Sequence, residues 1–402
     1  MSFDETAPAP IDRDVQSGVL PASWRGLSVF AVRSAAAPLL DQAIAGVARG
    51  LEVLEVVVLD TAQRARAAAV LPPAALEGVP AGEPYAFVIA VDVFAADPAI
   101  GARPTERRVA DVLDYTWRRV LRTVPVNEWF TAVQVSRGPD QAWEFLAALA
   151  DEDLAERLRL RLAALGSTCA MPFPVVSVLG GTSPGFRAQV ALVDHPEHGR
   201  TVCKIFRPGA VAAFERELRA RRDLGDLPEV PKLLDHGPNW MLAPFYGDTG
   251  QHVVRQLPDE LAQLDPDVVR TLLRFCRDLH DRGRFVMDLS PHNLTWDPHA
   301  GLKVLDLEFV LDYPVQPSWE DCWSLRGVPA SYRAASDGLP DLLFTRGVGN
   351  SVFHPAVSGL TRRRLLGDTD RWEEVRRTVT QLVWFSALGT VGRLHPALRG
   401  RP

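Results

Sequence analysis

The segment Gly166-Ser-Thr-Cys-Ala-Met-Pro-Phe-Pro174 separates two stretches of chain whose residue patterns do not match. Before it, β-branched apolar runs alternate with amphipathic helical ones. After it, a glycine-rich turn between strand-like runs leads into mainly helical sequence. A switch of pattern of this kind calls for two cores rather than one, and 402 residues are enough for both. The reading is a loose Pro/Asp/Ser-rich arm over 1–24, one domain over 25–167 and a second over 168–402.

In the first domain Gly26–Val32 reads as a strand, and Ala36–Ala48 as a helix with Leu39, Leu40, Ile44 and Val47 on one stripe. Leu51–Leu59 is a buried strand by its β-branched content. A Pro/Gly-rich break over 72–84 precedes a third strand, Tyr85–Phe94. Glu106–Arg122 is an amphipathic helix that turns Val109, Val112, Leu113, Trp117, Val120 and Leu121 inward. Trp129–Ser136 is a fourth strand, and Pro139–Leu165 is helical in two pieces. This alternation suits a ferredoxin-like α/β sandwich, so the chain as a whole is expected to be α+β.

Composition narrows the function. Lys and Arg number 44 against 50 Asp and Glu, a formal net charge of -6, which is wrong for a protein that coats nucleic acid. No apolar run is long enough to span a bilayer. The acidic start, MSFDETAPAP, is not a secretory signal. Four scattered cysteines, Cys169, Cys203, Cys276 and Cys322, read as reduced buried thiols of a cytoplasmic protein. All nine histidines fall at or after His195, so the first domain does without imidazole chemistry.

The second half places polar residues in apolar settings. Leu179-Gly-Gly-Thr-Ser-Pro-Gly185 is a turn whose glycines let main-chain N–H groups approach a phosphate. Lys204 sits in Val202-Cys-Lys-Ile-Phe206, where a lysine is costly unless paired. Glu217 follows on a helical stripe with Val211, Phe214 and Leu218, either as that partner or, like Glu215, as a solvated side chain. Phe285-Val-Met-Asp-Leu-Ser-Pro-His-Asn-Leu294 puts Asp288 five residues before Asn293. Leu302-Lys-Val-Leu-Asp-Leu-Glu-Phe309 puts Asp306 thirteen residues after it. Two carboxylates and an amide in apolar surroundings are explained by convergence on a divalent metal and a hydroxyl.

In this order and spacing, residues 175–330 resemble the protein-kinase-like phosphotransferases, the group of protein kinases, aminoglycoside phosphotransferases and bacterial lipopolysaccharide kinases. The resemblance implies a bilobal domain, a β-rich N-lobe over 168–247 and a helical C-lobe over 248–402. It implies ATP and Mg²⁺ as cofactors and a hydroxyl of a small molecule, glycan or protein as acceptor. Gly180, Gly181, Thr182 and Gly185 would cover the ATP phosphates, and Lys204, fixed by Glu217, would hold the α/β-phosphates. Ala243 and Phe245, in Met241-Leu-Ala-Pro-Phe-Tyr-Gly247, would bond or flank adenine. Asp288 would take or orient the hydroxyl proton, and Asn293 and Asp306 would hold the metal. The other reading is a pseudokinase, a nucleotide-binding scaffold with a regulatory first domain.

The chain departs from the family pattern in three places. Val286-Met287 stands where His-Arg is common, so the arginine that reads a phosphorylated activation loop is missing. Asp306-Leu-Glu308 replaces Asp-Phe-Gly. Asp321-Cys-Trp-Ser-Leu-Arg-Gly327 resembles the start of a later kinase helix, which would leave a much shortened activation segment; alternatively Trp323 and Leu325 are plain core residues. His292, between two site residues, reads as a loop histidine that packs or caps locally.

The first domain has its own resemblance, to nucleoside-diphosphate kinases. Val29-Phe-Ala-Val-Arg33 looks like their first strand, and Gln134-Val-Ser-Arg-Gly-Pro-Asp-Gln-Ala142 like the segment that carries the phosphorylated histidine. Gln134 stands at that histidine's place and cannot form the intermediate. At the other end of the chain, a helical segment over 371–391 is read with Trp372, Val375, Val379, Leu382 and Val383 facing the core, after a solvated triplet Arg362–Arg364. The last residues, 398–402, read as a frayed tail.

Overall fold

The computed structural model describes residues 26–72, 81–94, 105–125, 129–180, 187–247, 254–257, 261–329, 332, 350–361, 365, 375–380 and 382–384. The arm over 1–24, Gly181, Thr182, Gly185, the Arg362–Arg364 triplet, Trp372 and the last residues lie outside them. The fold is α+β with several antiparallel sheets. It divides into two compact units, residues 1–199 with 203–210 and residues 200–202 with 211–402.

The first unit contains a four-stranded sheet of β1 (Leu27–Arg33), β2 (Glu52–Val58), β3 (Pro84–Val91) and β4 (Val133–Val135), in the order β2-β3-β1-β4. Every neighbouring pair is antiparallel, with Phe30 opposite both Val88 and Val135. The whole of β1 is buried. Its alternate side chains enter two different cores because strand side chains alternate faces. Leu27, Val29 and Ala31 join Phe87 and Ile89 on one face, and Phe30 and Val32 join Val88 and Ala90 on the other. The first face is covered by α2 (Thr61–Val70), α4 (Pro139–Ala147) and α5 (Leu154–Cys169) through Ala67, Phe145 and Leu158. The second is covered by α1 (Leu40–Ala48) and α3 (Thr105–Val120) through Val47, Val109 and Val112. Each buried Phe or Leu in these layers stabilises by about 1.5–3 kcal/mol.

Local chemistry sets the helix starts. Asp60 caps α2 in a capping box, accepting Gln63 N–H at 2.8 Å while Gln63 Oε1 accepts Asp60 N–H at 3.0 Å. Pro139 opens α4, where a missing N–H costs nothing. Gly46 lets α1 and α3 meet, since a Cβ there would lie 2.7 Å from the Thr116 hydroxyl. The helix expected to start at Ala36 begins instead with a 3-10 segment, Ser34–Leu39, because Pro38 cannot donate an intrahelical bond. The fourth strand is also shorter than expected, Val133–Val135.

The first unit continues through β5 (Val175–Gly180), β6 (Ala188–His195) and the larger part of β7 (Gly199–Phe206), which lie side by side in that order. Arg207, at the end of β7, is buried. Its guanidinium donates to Glu52 Oε1 at 2.7 Å, to Leu51 O at 3.1 Å, and to Ala48 O and Arg49 O at 2.6 and 2.7 Å. The last two are carbonyls that the end of α1 leaves without helical partners. Gly209 N–H donates to the same Glu52 oxygen at 2.9 Å, a position a Cβ would crowd.

The second unit has one core. Helix α6 (Val211–Asp223) and α7 (Pro266–Asp281) contribute Ala220, Val268, Val269, Leu272, Phe275, Cys276 and Leu279. In α7 these fall at the three- and four-residue spacing of a single helical face. Asp265 caps α7 by accepting Asp267 N–H at 2.8 Å. Sequence pattern suggested helix from Leu257 onward, but β10 (Val254–Leu257) and β11 (Leu261–Leu264) form a hairpin there, before α7. A short β8 (Asp235–His236) pairs with β9 (Trp240–Pro244). Among the described residues, no helix is long and apolar enough to cross a membrane. All four cysteines are free and buried.

The C-terminal helical stripe is corrected by the structure. Val375, Val379, Leu382 and Val383 are more than half exposed, while Arg377, 1% exposed, points inward. Its guanidinium donates to Ser358 O at 2.8 Å and Leu264 O at 2.7 Å. These two main-chain carbonyls hold Arg377 inward, against the apolar pattern.

Candidate active site

The loop that carries Asp288 is built by two short ladders of the second unit. Strand β12 (Arg284–Val286) pairs antiparallel with β15 (Val310–Asp312), and Met287 N–H extends the pairing to Phe309 O at 3.2 Å. Asp288 is the first residue past that ladder, and its side chain is exposed. The chain then makes a 3-10 turn over Pro291–Asn293, closed by Asn293 N–H on Ser290 O at 3.0 Å. Asn293 Nδ2 reaches back to the main-chain oxygen of Asp288 at 2.9 Å. Next comes the hairpin of β13 (Leu294–Asp297) and β14 (Gly301–Val304), in register Leu294 opposite Val304. One residue beyond that register, Leu305 N–H donates to Asn293 O at 2.8 Å. The hairpin thus returns the chain so that Asp306 follows directly on a residue bonded to Asn293. Two hydrogen bonds thus tie Asn293 to Asp288 and to Leu305, the residue before Asp306.

These groups are less buried than their apolar flanks suggested. Asp288 is exposed and Asn293 and Asp306 are half-buried, while Leu289, Leu294 and Leu307 fill the core beneath. These three leucines turn inward, while Leu305, directly before Asp306, is exposed. With Nδ2 donating to Asp288 O, the amide oxygen of Asn293 is an acceptor. Together with the Asp306 carboxylate this is a hard oxygen donor set that suits Mg²⁺. Among the described residues no group of three or more His, Cys, Asp or Glu gathers as a metal cage. One carboxylate and one amide fit the way Mg²⁺ is usually held, with substrate phosphates and water completing the shell.

Helix α6 approaches the Asp306 segment through two arginines. Glu217 is fully buried, and its Oε1 accepts from Arg221 Nε at 3.0 Å and Nη2 at 2.7 Å. Arg221 also donates to Pro231 O at 3.2 Å and to Leu305 O at 3.1 Å. Arg216 Nε donates to Glu308 O at 3.0 Å. Glu217 is therefore not a solvated side chain: it is buried and bonded to Arg221. Lys204 belongs to the first unit. On β7 it alternates with the buried Cys203 and Ile205, so its side chain leaves the core, with Nζ 5.0 Å from the centre of the Phe206 ring.

Of the expected nucleotide-binding residues, Gly180 ends β5 opposite Val190. Ala243 is buried within β9, and Phe245, just past it, is 41% exposed. His292 is exposed in the loop. Asp321 is exposed and pairs with Arg326, on the four-residue helix Trp323–Arg326. The loop of Asp288 is held by Ser324 and Asn350, which sequence reasoning missed. Ser324 Oγ accepts Val286 N–H at 3.0 Å. Asn350 accepts Leu289 N–H at 2.8 Å and donates to Val286 O and Ser324 O at 2.9 and 2.7 Å. Trp323 packs edge-on against Phe285, Tyr313 and Tyr332.

Burial also sets local charge. Glu229 is buried and its carboxyl is pushed up from the ordinary glutamate range, chiefly by desolvation, while its main-chain oxygen accepts Val304 N–H at 2.9 Å. Asp297, at the tip of the β13–β14 hairpin, is held below the usual carboxylate range by the N–H groups of Ala300 and His299.

In the first unit, Arg33 and Gln134 meet on adjacent strands, their side chains hydrogen-bonded to one another. Arg33 also donates to Pro72 O at 3.1 Å and Gly82 O at 3.5 Å, and desolvation pulls its guanidinium below its usual range. Both side chains are buried; the arginine's terminal nitrogens donate to neutral oxygens, and its buried Nε has no hydrogen-bond partner among the described residues.

No protein-family model matches this chain, and no curated protein matches its sequence.

Proposed function

We propose that this protein is an ATP-dependent phosphotransferase that moves the γ-phosphate to a hydroxyl. The observation that carries the reading is the hydrogen-bonded succession of Asp288, Asn293 and Leu305–Asp306, in the order the resemblance requires. Phosphoryl transfer needs positioning and charge neutralisation more than covalent chemistry. Asp288, exposed at the mouth of its loop, accepts the proton of the acceptor hydroxyl and orients its oxygen. Asn293 and Asp306 are the residues that would hold Mg²⁺. When bound, the ion neutralises charge on the phosphate oxygens. Ala243 and Phe245, in the same unit as Asp306, flank the base.

The acceptor we favour is a small molecule or glycan. Only a short stretch separates Asp306 from the Asp321 helix, which leaves little chain for a peptide-docking platform. In the first unit, the sheet order β4-β1-β3-β2 with antiparallel neighbours supports a ferredoxin-like sandwich, with the addition of helices on both faces. With Gln134 bonded to Arg33 where a phosphohistidine would stand, we assign this unit a binding or regulatory role rather than phosphotransfer.

The departures from the family pattern at Val286-Met287 and Asp306-Leu-Glu308 keep open a second reading, a nucleotide-binding scaffold without turnover. A panel of sugar, nucleoside and protein acceptors incubated with Mg·ATP separates the two. Labelled product that disappears with Asp288→Ala supports the transferase. Tight ATP binding with no labelled product and no ATP loss supports the scaffold.

A further inference from the structure

We propose that Arg216 and Arg221 are positioning residues that lock the Asp306 segment against α6, so that the metal-side carboxylate is held in one orientation instead of flipping. This rests on Asp306 being a metal ligand. The two arginines grip main-chain oxygens on either side of that residue, Leu305 O at 3.1 Å and Glu308 O at 3.0 Å. The rest of the segment's main chain is tied as well. Val304 N–H donates to Glu229 O at 2.9 Å, Leu305 N–H to Asn293 O at 2.8 Å, and Val310 N–H to Leu307 O at 3.1 Å. Leu307 is fully buried and Glu308 nearly so. Rotating Asp306 away would break both arginine bonds and strip partners from buried groups.

Arg221 is itself held. Glu217, with no exposure, fixes its guanidinium through two bonds, and Pro231 O takes a third donor. The Glu217–Arg221 pair thus aims a planar, multi-donor group at Leu305 O, a task for which a lysine's point charge lacks the geometry. Glu217 in this arrangement acts on the metal side of the site. The Asp306-Leu-Glu308 sequence, with no glycine, agrees with a segment that does not change conformation.

The test measures Mn²⁺ binding by electron paramagnetic resonance, with a non-hydrolysable ATP analogue present and no turnover. The chains compared are the wild type, Arg216→Met, Arg216→Lys, Arg221→Lys and, as a control on the solvent side of the same helix, Arg219→Met. Melting temperatures are taken alongside. Losing an outer-shell support of a metal ligand typically weakens the metal by about 10–100-fold. The expected result is a loss of that order in Arg216→Met and Arg221→Lys, partial recovery in Arg216→Lys, and none in Arg219→Met, with Arg216→Met melting as the wild type does. If Arg221→Lys fails to fold, Arg216→Met decides. Equal Mn²⁺ affinity in wild type and Arg216→Met, or equal loss in Arg219→Met, overturns the proposal and leaves the proposed function standing. A wild type that binds no Mn²⁺ with the nucleotide overturns both.

Discussion

The buried side-chain amide of Asn350 accepts the main-chain N–H of Leu289, one residue after Asp288, at 2.8 Å. The same amide donates to Val286 O and Ser324 O, so one side chain closes two main-chain groups of the Asp288 loop and ties them to the helix Trp323–Arg326. Asn350→Ala removes all three bonds and buries the groups they satisfied. An orphaned buried polar group costs about 1–3 kcal/mol, so a loss of about 2–4 kcal/mol is expected, read by urea denaturation. Asn350→Asp keeps the acceptor for Leu289 and loses the donors, and an intermediate loss is expected. A wild-type denaturation curve for Asn350→Ala would show that the loop is held elsewhere.

Glu52 and Arg207 form a buried ion pair within the first unit. Breaking such a pair from one side leaves an uncompensated charge and typically costs about 3–5 kcal/mol. Arg207→Met and Glu52→Gln should each destabilise by that order. The double variant should lose less than the sum, because it removes both charges. Additive losses would mean that the two side chains act independently.

Glu229 gives a pH dependence with a definite sign. Its carboxyl is raised in the folded chain, by desolvation first, then by Asp278, while Arg274 and Lys303 oppose the rise. Well below the ordinary glutamate range both folded and unfolded chains hold the proton, and the residue costs nothing. As pH climbs past that range the unfolded chain ionises first, and stability falls until the folded carboxyl also ionises. Glu229→Gln removes the effect. The melting temperature of the wild type should therefore drop relative to Glu229→Gln on going from pH 4 to pH 7. Parallel profiles would contradict the assignment.

Much of the first unit was legible in its residues. The periods of Leu51–Leu59 and Glu106–Arg122 located a strand and a helix because burial on a fixed face imposes those periods. The Asp288, Asn293 and Asp306 positions stood out as polar groups between apolar ones, while the hairpin that joins them became visible only in the folded chain. Arg221 had a local signal, the four-residue spacing from Glu217 that brings two helical side chains together. Asn350 had none, since its partners lie more than twenty residues away and only the folded chain brings them together. The C-terminal stripe misled because Arg377 serves two buried carbonyls, a demand that side-chain hydropathy does not record.

The most direct measurement is the rate at which γ-phosphate leaves labelled Mg·ATP, compared between the wild-type chain and Asp288→Asn at saturating nucleotide. A positioned base contributes about 10²–10⁴-fold. The account predicts measurable turnover in the wild type and a fall of that order in Asp288→Asn, with nucleotide affinity little changed. Turnover that is equal in the two proteins would contradict the role given to Asp288, and its absence from the wild type with every acceptor would contradict the phosphotransferase itself.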